Sequence, residues 1–217
     1  MDFSAYVIVA VVSYFVGSIP AGYLVGRVRG VDIRTVGSGN IGATNVLRVL
    51  GKGAGALVFM VDAIKGFVAV WFAPAIAEFF GQTRAGDTDQ NDYLSILGCF
   101  CVILGHNYTC WLRFKGGKGV ATSAGALLAL FPAALMVVLA LWIIVLAVFR
   151  YVSLASIIAA LALPLSAWLL HSNRRMMVVA FFMGGLVIYK HKANIKRLLN
   201  GTENRIGRGA ASGESSK

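Results

Sequence analysis

The chain is a series of long apolar runs separated by short polar segments. The runs cover residues 3–26, 53–77, 93–112, 119–149, 151–170 and 176–189. About 20 apolar residues in a helix cross the hydrocarbon core of a bilayer. Backbone at that depth must form its hydrogen bonds within the protein, which favours helices. The pattern therefore predicts an all-α, polytopic membrane protein.

The run at 119–149 decides how many times the chain crosses. It has 31 residues, which is long for one crossing and short for two. Pro132 divides it into 119–131 and 132–149, and a proline suits a tight turn at the membrane surface. One crossing gives six spans and two crossings give seven. We favour about seven, one or two of them short, because six would place the basic C-terminal region outside.

The charges of the connecting segments predict the orientation. Segment 27–52 has five basic residues and one acidic residue, and 113–118 has three basic residues. Segment 78–92 has four acidic residues and one basic residue. Cytoplasmic loops carry the excess of lysine and arginine. We therefore expect the N-terminus outside and the C-terminus in the cytoplasm.

Composition agrees with a membrane protein and excludes a soluble one. The chain is 58% hydrophobic with a mean hydropathy of +0.76, and only 13% of its residues are charged, against about 25% in soluble domains. We expect a single membrane domain over residues 1–208 and a disordered tail over 209–217. The three cysteines lie in or beside one apolar run, as small hydrophobic residues do. No metal site is expected.

Three polar segments on the predicted cytoplasmic face carry the candidate chemistry. They read SGNIGATNVLR (38–48), GHNYTCWLRFKGGKGVAT (105–122) and HKANIKRLLNGTEN (191–204). Glycine lets backbone N–H groups turn toward an anion, and lysine and arginine add positive charge. A helix that starts after such a loop favours an anion further. The segments predict binding of more than one phosphate, and the alternative is that they are ordinary basic loops.

Two nucleotide-binding patterns fail on their context. The letters GSGNIG at 37–42 match the dinucleotide fingerprint, but they follow a membrane span and not a buried strand. A phosphate loop of the Walker type needs serine or threonine after its lysine. Here Lys118 is followed by Gly119, so we expect no ATP hydrolysis.

Together and in this order, the three segments resemble the motifs of the bacterial acyl-phosphate:glycerol-3-phosphate acyltransferase family, PlsY. The resemblance runs from about residue 17 to about residue 207. It implies a multi-pass protein of the bacterial inner membrane with its active site on the cytoplasmic side. The implied reaction moves a fatty acyl group from acyl phosphate to the 1-hydroxyl of glycerol 3-phosphate. The products are lysophosphatidic acid and phosphate, in the first step of phospholipid synthesis.

The resemblance also implies partners and residue roles. The partners are the two small-molecule substrates, membrane lipid and, functionally, an enzyme that produces acyl phosphate. No cofactor, metal or nucleic acid is implied. The catalytic residues would be Arg48, Lys118, His191 and Asn194. The substrate-binding residues would be Ser38, Gly39, Asn40, Thr44, Asn45, Lys115, Gly116, Gly117, Gly119, Arg197 and Glu203.

A general base is not obvious from the sequence. Soluble glycerophosphate acyltransferases carry His-x4-Asp, and none of the three histidines here is followed by aspartate at that spacing. His191 is our candidate as a substrate hydrogen-bonding group or base. His106 is equally compatible with a structural role. His171 would lie outside and have no role.

A small anion transporter is the alternative function. Asp62 and Lys65 lie within an apolar run, and charges inside a membrane are often functional. Their spacing of three places them on one helix face, where they can pair. A transporter needs a site near the midplane that both sides can reach. The polar motifs are all predicted on one face, which favours the acyltransferase.

Overall fold

The computed structural model describes residues 3–81, 88–170 and 174–207. All regular elements in these ranges are helices, which confirms the predicted all-α class. The predicted disordered tail at 209–217 and the position of His171 lie outside the described residues.

Eleven α-helices and one 3-10 turn make up the described ranges. They are α1 (Phe3–Ser18), α2 (Ala21–Val28), α3 (Ala43–Leu50), α4 (Lys52–Trp71), α5 (Ala73–Phe79), α6 (Thr88–Asn107), the turn Cys110–Leu112, α7 (Val120–Leu130), α8 (Pro132–Phe149), α9 (Val152–Leu170), α10 (Arg174–Lys190) and α11 (Lys192–Leu199).

The helices form two compact units, Met1–Leu135 and Met136–Lys217. In the first unit α1 packs on α6, and α4 packs on α3 and α7. In the second unit α9 packs on α10 and α11. The expectation of one membrane domain over residues 1–208 stays a prediction.

Five helical stretches in the described ranges have the length and composition to cross a membrane: Phe3–Val28, Lys52–Trp71, Thr88–Leu112, Pro132–Phe149 and Val152–Leu170. Counting α10 and α11 as one bent span gives six. Helix α7 is apolar but has only 11 residues, about 16 Å at 1.5 Å per residue. Seven spans therefore require α7 to cross as a short helix, and the span number and orientation stay predictions.

The run at 119–149 divides at Pro132, as predicted. Helix α7 ends at Leu130, and Phe131 leaves the helical conformation with φ −142° and ψ 65°. Helix α8 then begins at Pro132. A proline fits the first position of a helix because its missing N–H would have no partner there.

Glycines allow the closest helix contacts in the first unit. A Cβ at Gly17 of α1 would overlap the backbone carbonyl of Val102 on α6. A Cβ at Gly66 of α4 would overlap the carbonyl of Thr122 on α7. Small residues at such positions bring helix backbones together, which is how helices associate within lipid.

Candidate active site

The first motif is a loop organised by the side chain of Asn45, which lies in the first turn of α3 and is 2% exposed. Its Oδ1 accepts a hydrogen bond from the Ser38 N–H at 2.7 Å. Its Nδ2 donates to the carbonyls of Ile33 and Val36, both at 3.1 Å. Both amide hydrogens of Asn45 therefore hold the loop, and its direct contact with a substrate stays a prediction.

Two glycines let the loop bend around Asn45. Gly37 and Gly39 have φ of 60° and 67°, in the left-handed region that glycine tolerates. A Cβ at Gly37 would also overlap the Asn45 side chain. Asn40 closes the next turn by accepting the Gly42 N–H at 2.8 Å.

Ser38, Thr44 and Arg48 are first-motif side chains that are open to solvent at least in part. Ser38 and Arg48 are exposed and Thr44 is half-buried. Thr44 and Arg48 are four residues apart on α3, which puts them on one face of that helix.

Asp32, the one carboxylate between residues 27 and 52, is paired with Arg34. The Arg34 Nε and a terminal nitrogen lie 2.9 and 2.6 Å from its oxygens. Hydrogen bonds from the Arg34 side chain and backbone lower the pKa of Asp32 to about 2. The carboxylate stays ionised above that pH, and Arg34 balances its charge. The remaining basic residues, including Arg48, therefore leave the segment with net positive charge.

The second motif is a loop bonded to the end of α6. The Gly116 N–H donates to the Asn107 carbonyl at 3.2 Å, and the Gly117 N–H donates to the His106 carbonyl at 3.0 Å. These two N–H groups therefore fix the loop to α6. The sequence suggested instead that they would turn toward an anion.

Lys118 and Gly119 form the junction between the loop and α7. Gly119 has φ 78°, and this left-handed turn starts α7 at Val120. The first N–H groups of a helix have no partner within it and carry partial positive charge. Lys118 is half-buried beside them, and Lys115 is exposed. This junction is the part of the second motif best suited to hold a phosphate.

The first and second motifs are anchored on one hydrophobic cluster. Leu112, which precedes the glycine loop, is buried in the same cluster as Ile41 and Val46 of the first motif. The fold of the first unit therefore brings these two motifs together.

The third motif lies in the second unit, at the bend between α10 and α11. The two helices meet at an angle of 59°, and His191 is buried at the junction with 2% exposure. Its Nδ1 lies 2.7 Å from the Val187 carbonyl. A carbonyl only accepts, so Nδ1 carries the hydrogen, and Nε2 of the neutral ring is then an acceptor.

Glu203 connects the other polar residues of this motif. Its carboxylate accepts from the Asn194 Nδ2 at 2.8 Å, from the Arg197 Nε at 2.7 Å and from the Ser153 hydroxyl at 3.0 Å. Asn194 is buried, and the Glu203 side chain is only 7% exposed. Glu203 thus orients Asn194 and Arg197, and its direct contact with a substrate stays a prediction.

The predicted pairing of Asp62 and Lys65 is confirmed. Lys65 Nζ lies 2.7 Å from Asp62 Oδ1, and both side chains are buried. His106 joins them from α6, with Nδ1 at 2.9 Å from Lys65 Nζ. The sequence did not connect His106 with this pair, since 41 residues separate it from Lys65. Within the described ranges, no three His, Cys, Asp or Glu side chains are grouped as metal ligands.

Comparison with known proteins identifies the family. Residues 7–201 match the family described as glycerol-3-phosphate acyltransferase. The glycerol-3-phosphate acyltransferase of Clostridioides difficile is 48% identical over 208 residues, which are 95% of this chain and 98% of the relative.

Two crystal structures of PlsY, an integral membrane glycerol 3-phosphate acyltransferase, share the fold. The glycerol 3-phosphate form gives a TM-score of 0.82 at 38% identity and covers 93% of this chain and 96% of PlsY. The lysophosphatidic acid form gives a TM-score of 0.79 at 37% identity and covers 93% of this chain and 95% of PlsY. The chain is thus an integral membrane protein that belongs to the glycerol-3-phosphate acyltransferase family.

Proposed function

We propose that the protein transfers a fatty acyl group from acyl phosphate to the 1-hydroxyl of glycerol 3-phosphate. The observation that carries the proposal is the likeness to PlsY in its glycerol 3-phosphate form, with a TM-score of 0.82 over 93% of this chain. The products would be lysophosphatidic acid and inorganic phosphate. Membership of an acyltransferase family also argues against an anion transporter.

The first unit supplies the charge for phosphate recognition. Both proposed substrates carry phosphate, and both phosphate-binding motifs here are basic. Arg48, with Ser38 and Thr44, would hold one phosphate. Lys118, with Gly119 and the start of α7, would hold the other. Hydrogen bonds from charged donors to phosphate are among the strongest in proteins.

The reaction needs no covalent enzyme intermediate, because acyl phosphate is already activated. The 1-hydroxyl oxygen attacks the acyl carbonyl carbon, and the carbon–oxygen bond to phosphate then breaks. Phosphate leaves with the bonding electrons, and the hydroxyl proton goes to a base. His191 Nε2 is an acceptor in the tautomer fixed by Val187, so His191 is our candidate for that base. Positioning and charge stabilisation can supply the remaining catalysis.

The active site is proposed to face the cytoplasm of a bacterial inner membrane. The basic segments that hold Arg48 and Lys118 favour that side. An enzyme that produces acyl phosphate would then supply the donor.

The test is acyl transfer by the purified full-length protein in detergent. Glycerol 3-phosphate and palmitoyl phosphate are supplied without ATP or divalent metal, and lysophosphatidic acid and phosphate are measured together. We expect both products in equal amounts. Activity with acyl-CoA alone, or loss of activity in a chelator, would contradict the proposed donor and cofactor-free chemistry. Phosphate uptake into liposomes without acyl transfer would instead support the transporter.

A further inference from the structure

Three ionisable side chains form a buried cluster in the first unit. Asp62 and Lys65 of α4 and His106 of α6 are 3%, 5% and 5% exposed. Lys65 Nζ lies 2.7 Å from Asp62 Oδ1 and 2.9 Å from His106 Nδ1. His106 Nδ1 is also 3.4 Å from Asp62 Oδ1. None of these residues has a role in the reaction described above.

The cluster fixes the tautomer of His106. The Lys65 ammonium has three N–H groups and no acceptor. Its three neighbours are Asp62 Oδ1, His106 Nδ1 and, at 2.9 Å, the Ile19 carbonyl. With Lys65 as the charged ammonium, His106 Nδ1 accepts one of these hydrogens, and the hydrogen of the neutral imidazole then lies on Nε2. Lysine and aspartate cancel in charge, and the ring is held in one orientation.

The other edge of this ring, which carries Nε2, packs against Gly117 of the glycine loop. A Cβ at Gly117 would overlap His106 Nε2. The His106 and Asn107 carbonyls accept the N–H groups of Gly117 and Gly116. A Cβ at Gly119 would come within 2.9 Å of the Asn107 side-chain oxygen. The loop that precedes α7 therefore rests on two adjacent residues of α6, one of them fixed by Lys65.

Stability alone does not account for the cluster. Removing charged groups from water is costly, and well-packed apolar residues often stabilise a protein as well as a buried ion pair does. The cost is greater inside a membrane, where charged side chains generally have a function. Apolar residues could not hold the His106 ring in one orientation against Gly117, whereas the hydrogen bond from Lys65 can.

We propose that Asp62, Lys65 and His106 are positioning residues for the reaction, which hold the glycine loop so that Lys118 and Gly119 meet a substrate phosphate. The inference rests on the proposed function of the second motif. Its consequence is specific: disturbing His106 should weaken binding of the same phosphate-bearing substrate that Lys118 binds. Binding of the other substrate should not change.

His106→Asn is the variant that separates positioning from folding. The asparagine oxygen can replace Nδ1 as the acceptor for Lys65, but the half of the ring that touches Gly117 is lost. Gly117→Ala disturbs the same contact from the loop side. Cys99→Ala is the matched control, since Cys99 is buried on α6 two turns before His106.

The measurements are KM for each substrate, kcat, and thermal unfolding of the purified full-length protein. Displacing a catalytic group by about 1 Å can cost about 100-fold, so we expect KM for one substrate to rise about ten- to 100-fold in His106→Asn and Gly117→Ala. Lys118→Ala should raise the same KM. Cys99→Ala should leave both KM values at the wild-type level.

A double variant tests whether His106 acts through Lys118. If it does, Lys118→Ala with His106→Asn should be no worse than Lys118→Ala alone. Multiplied effects would overturn the proposal, as would equal rises in both KM values that follow a loss of thermal stability. If His106→Asn does not fold, Gly117→Ala still tests the proposal. Wild-type KM values for both substrates in Gly117→Ala would overturn it.

The outcomes for this inference and for the proposed function are distinguishable. A wild-type protein that does not acylate glycerol 3-phosphate would reject the proposed function before any variant is compared. An active wild type with unaffected His106 and Gly117 variants would reject only the positioning role.

Discussion

Lys118 supplies the charge of the phosphate site proposed at the start of α7. It lies between Gly117, which is bonded to α6, and Gly119, which starts α7. Lys118→Ala should lower kcat/KM by about 10- to 150-fold, because a hydrogen bond from a charged group contributes about 1.5–3 kcal/mol and about 1.4 kcal/mol is tenfold. Steady-state kinetics with both substrates measure this.

Arg174→Ala is the charge-matched control for that experiment. Arg174 is exposed at the first residue of α10, and α10 meets the third motif at its other end. We expect its removal to leave kcat/KM unchanged. Equal and small effects of the two substitutions would mean that the second motif is only a basic loop.

Sequence patterns identified the polar residues better than their partners. Asn45 is predicted to bind substrate, and the structure adds that both its amide hydrogens bond the carbonyls of Ile33 and Val36. Gly117 was expected to aim an N–H at phosphate, yet its N–H is bonded to His106. A motif gives residue types and spacing, whereas the direction of each hydrogen bond depends on how the loop folds against distant residues.

At the scale of elements, the segment after α11 is held against the start of α9. Glu203 accepts from Ser153, and the Ile206 N–H donates to the Arg150 carbonyl at 2.8 Å. The Arg205 guanidinium lies 4.8 Å from the centre of the Tyr151 ring. These contacts fix Glu203, which in turn orients the Asn194 amide.

Glu203→Ala should destabilise this arrangement more than an ordinary surface substitution. It removes the carboxylate that accepts from the buried Asn194 amide and from the Ser153 hydroxyl, and each hydrogen bond to a charged group contributes about 1.5–3 kcal/mol. A total of about 3 kcal/mol should lower the unfolding temperature in detergent by about 6–12 °C. Thermal unfolding measures the shift.

Glu78→Ala is the matched control, because Glu78 is an exposed carboxylate of α5 in the first unit. An equal unfolding temperature in the two variants would contradict a supporting role for Glu203. Wild-type stability with lost activity would instead favour direct contact between Glu203 and a substrate.

The apolar runs predict where helices occur, but they predict only one of the breaks that divide a run into two helices. The sequence predicts the break at Pro132 because the run at 119–149 has 31 residues, which is long for a single crossing. Run 3–26 also divides, into α1 and α2 around Pro20, and run 53–77 divides into α4 and α5 at Phe72. Both prolines at these breaks, Pro20 and Pro74, were visible in the sequence. The residues around both breaks are apolar, so hydropathy alone does not show where one helix ends and the next begins in a new direction.

At the scale of the whole molecule, charge asymmetry predicts which side each segment faces. Arg48 and Lys118 lie within the basic segments 27–52 and 113–118, and segment 78–92 is acidic. The five long apolar helical stretches, the bent α10–α11 pair and the short α7 together suffice for seven crossings. An odd number of crossings places the two ends of the chain on opposite sides.

We therefore expect a reporter fused after Lys217 to read as cytoplasmic and one inserted at Gly86 to read as external; both positions lie outside the described residues. Paired reporters that are active on opposite sides of the membrane give the measurement, and a fusion after Lys52 serves as a second cytoplasmic control. The physical reason is that lysine- and arginine-rich segments are retained in the cytoplasm. An external C-terminus would leave α7 and α8 as one crossing. It would also put the third motif on the opposite face from Arg48 and Lys118, so the assignment of His191 as the base would have to be withdrawn.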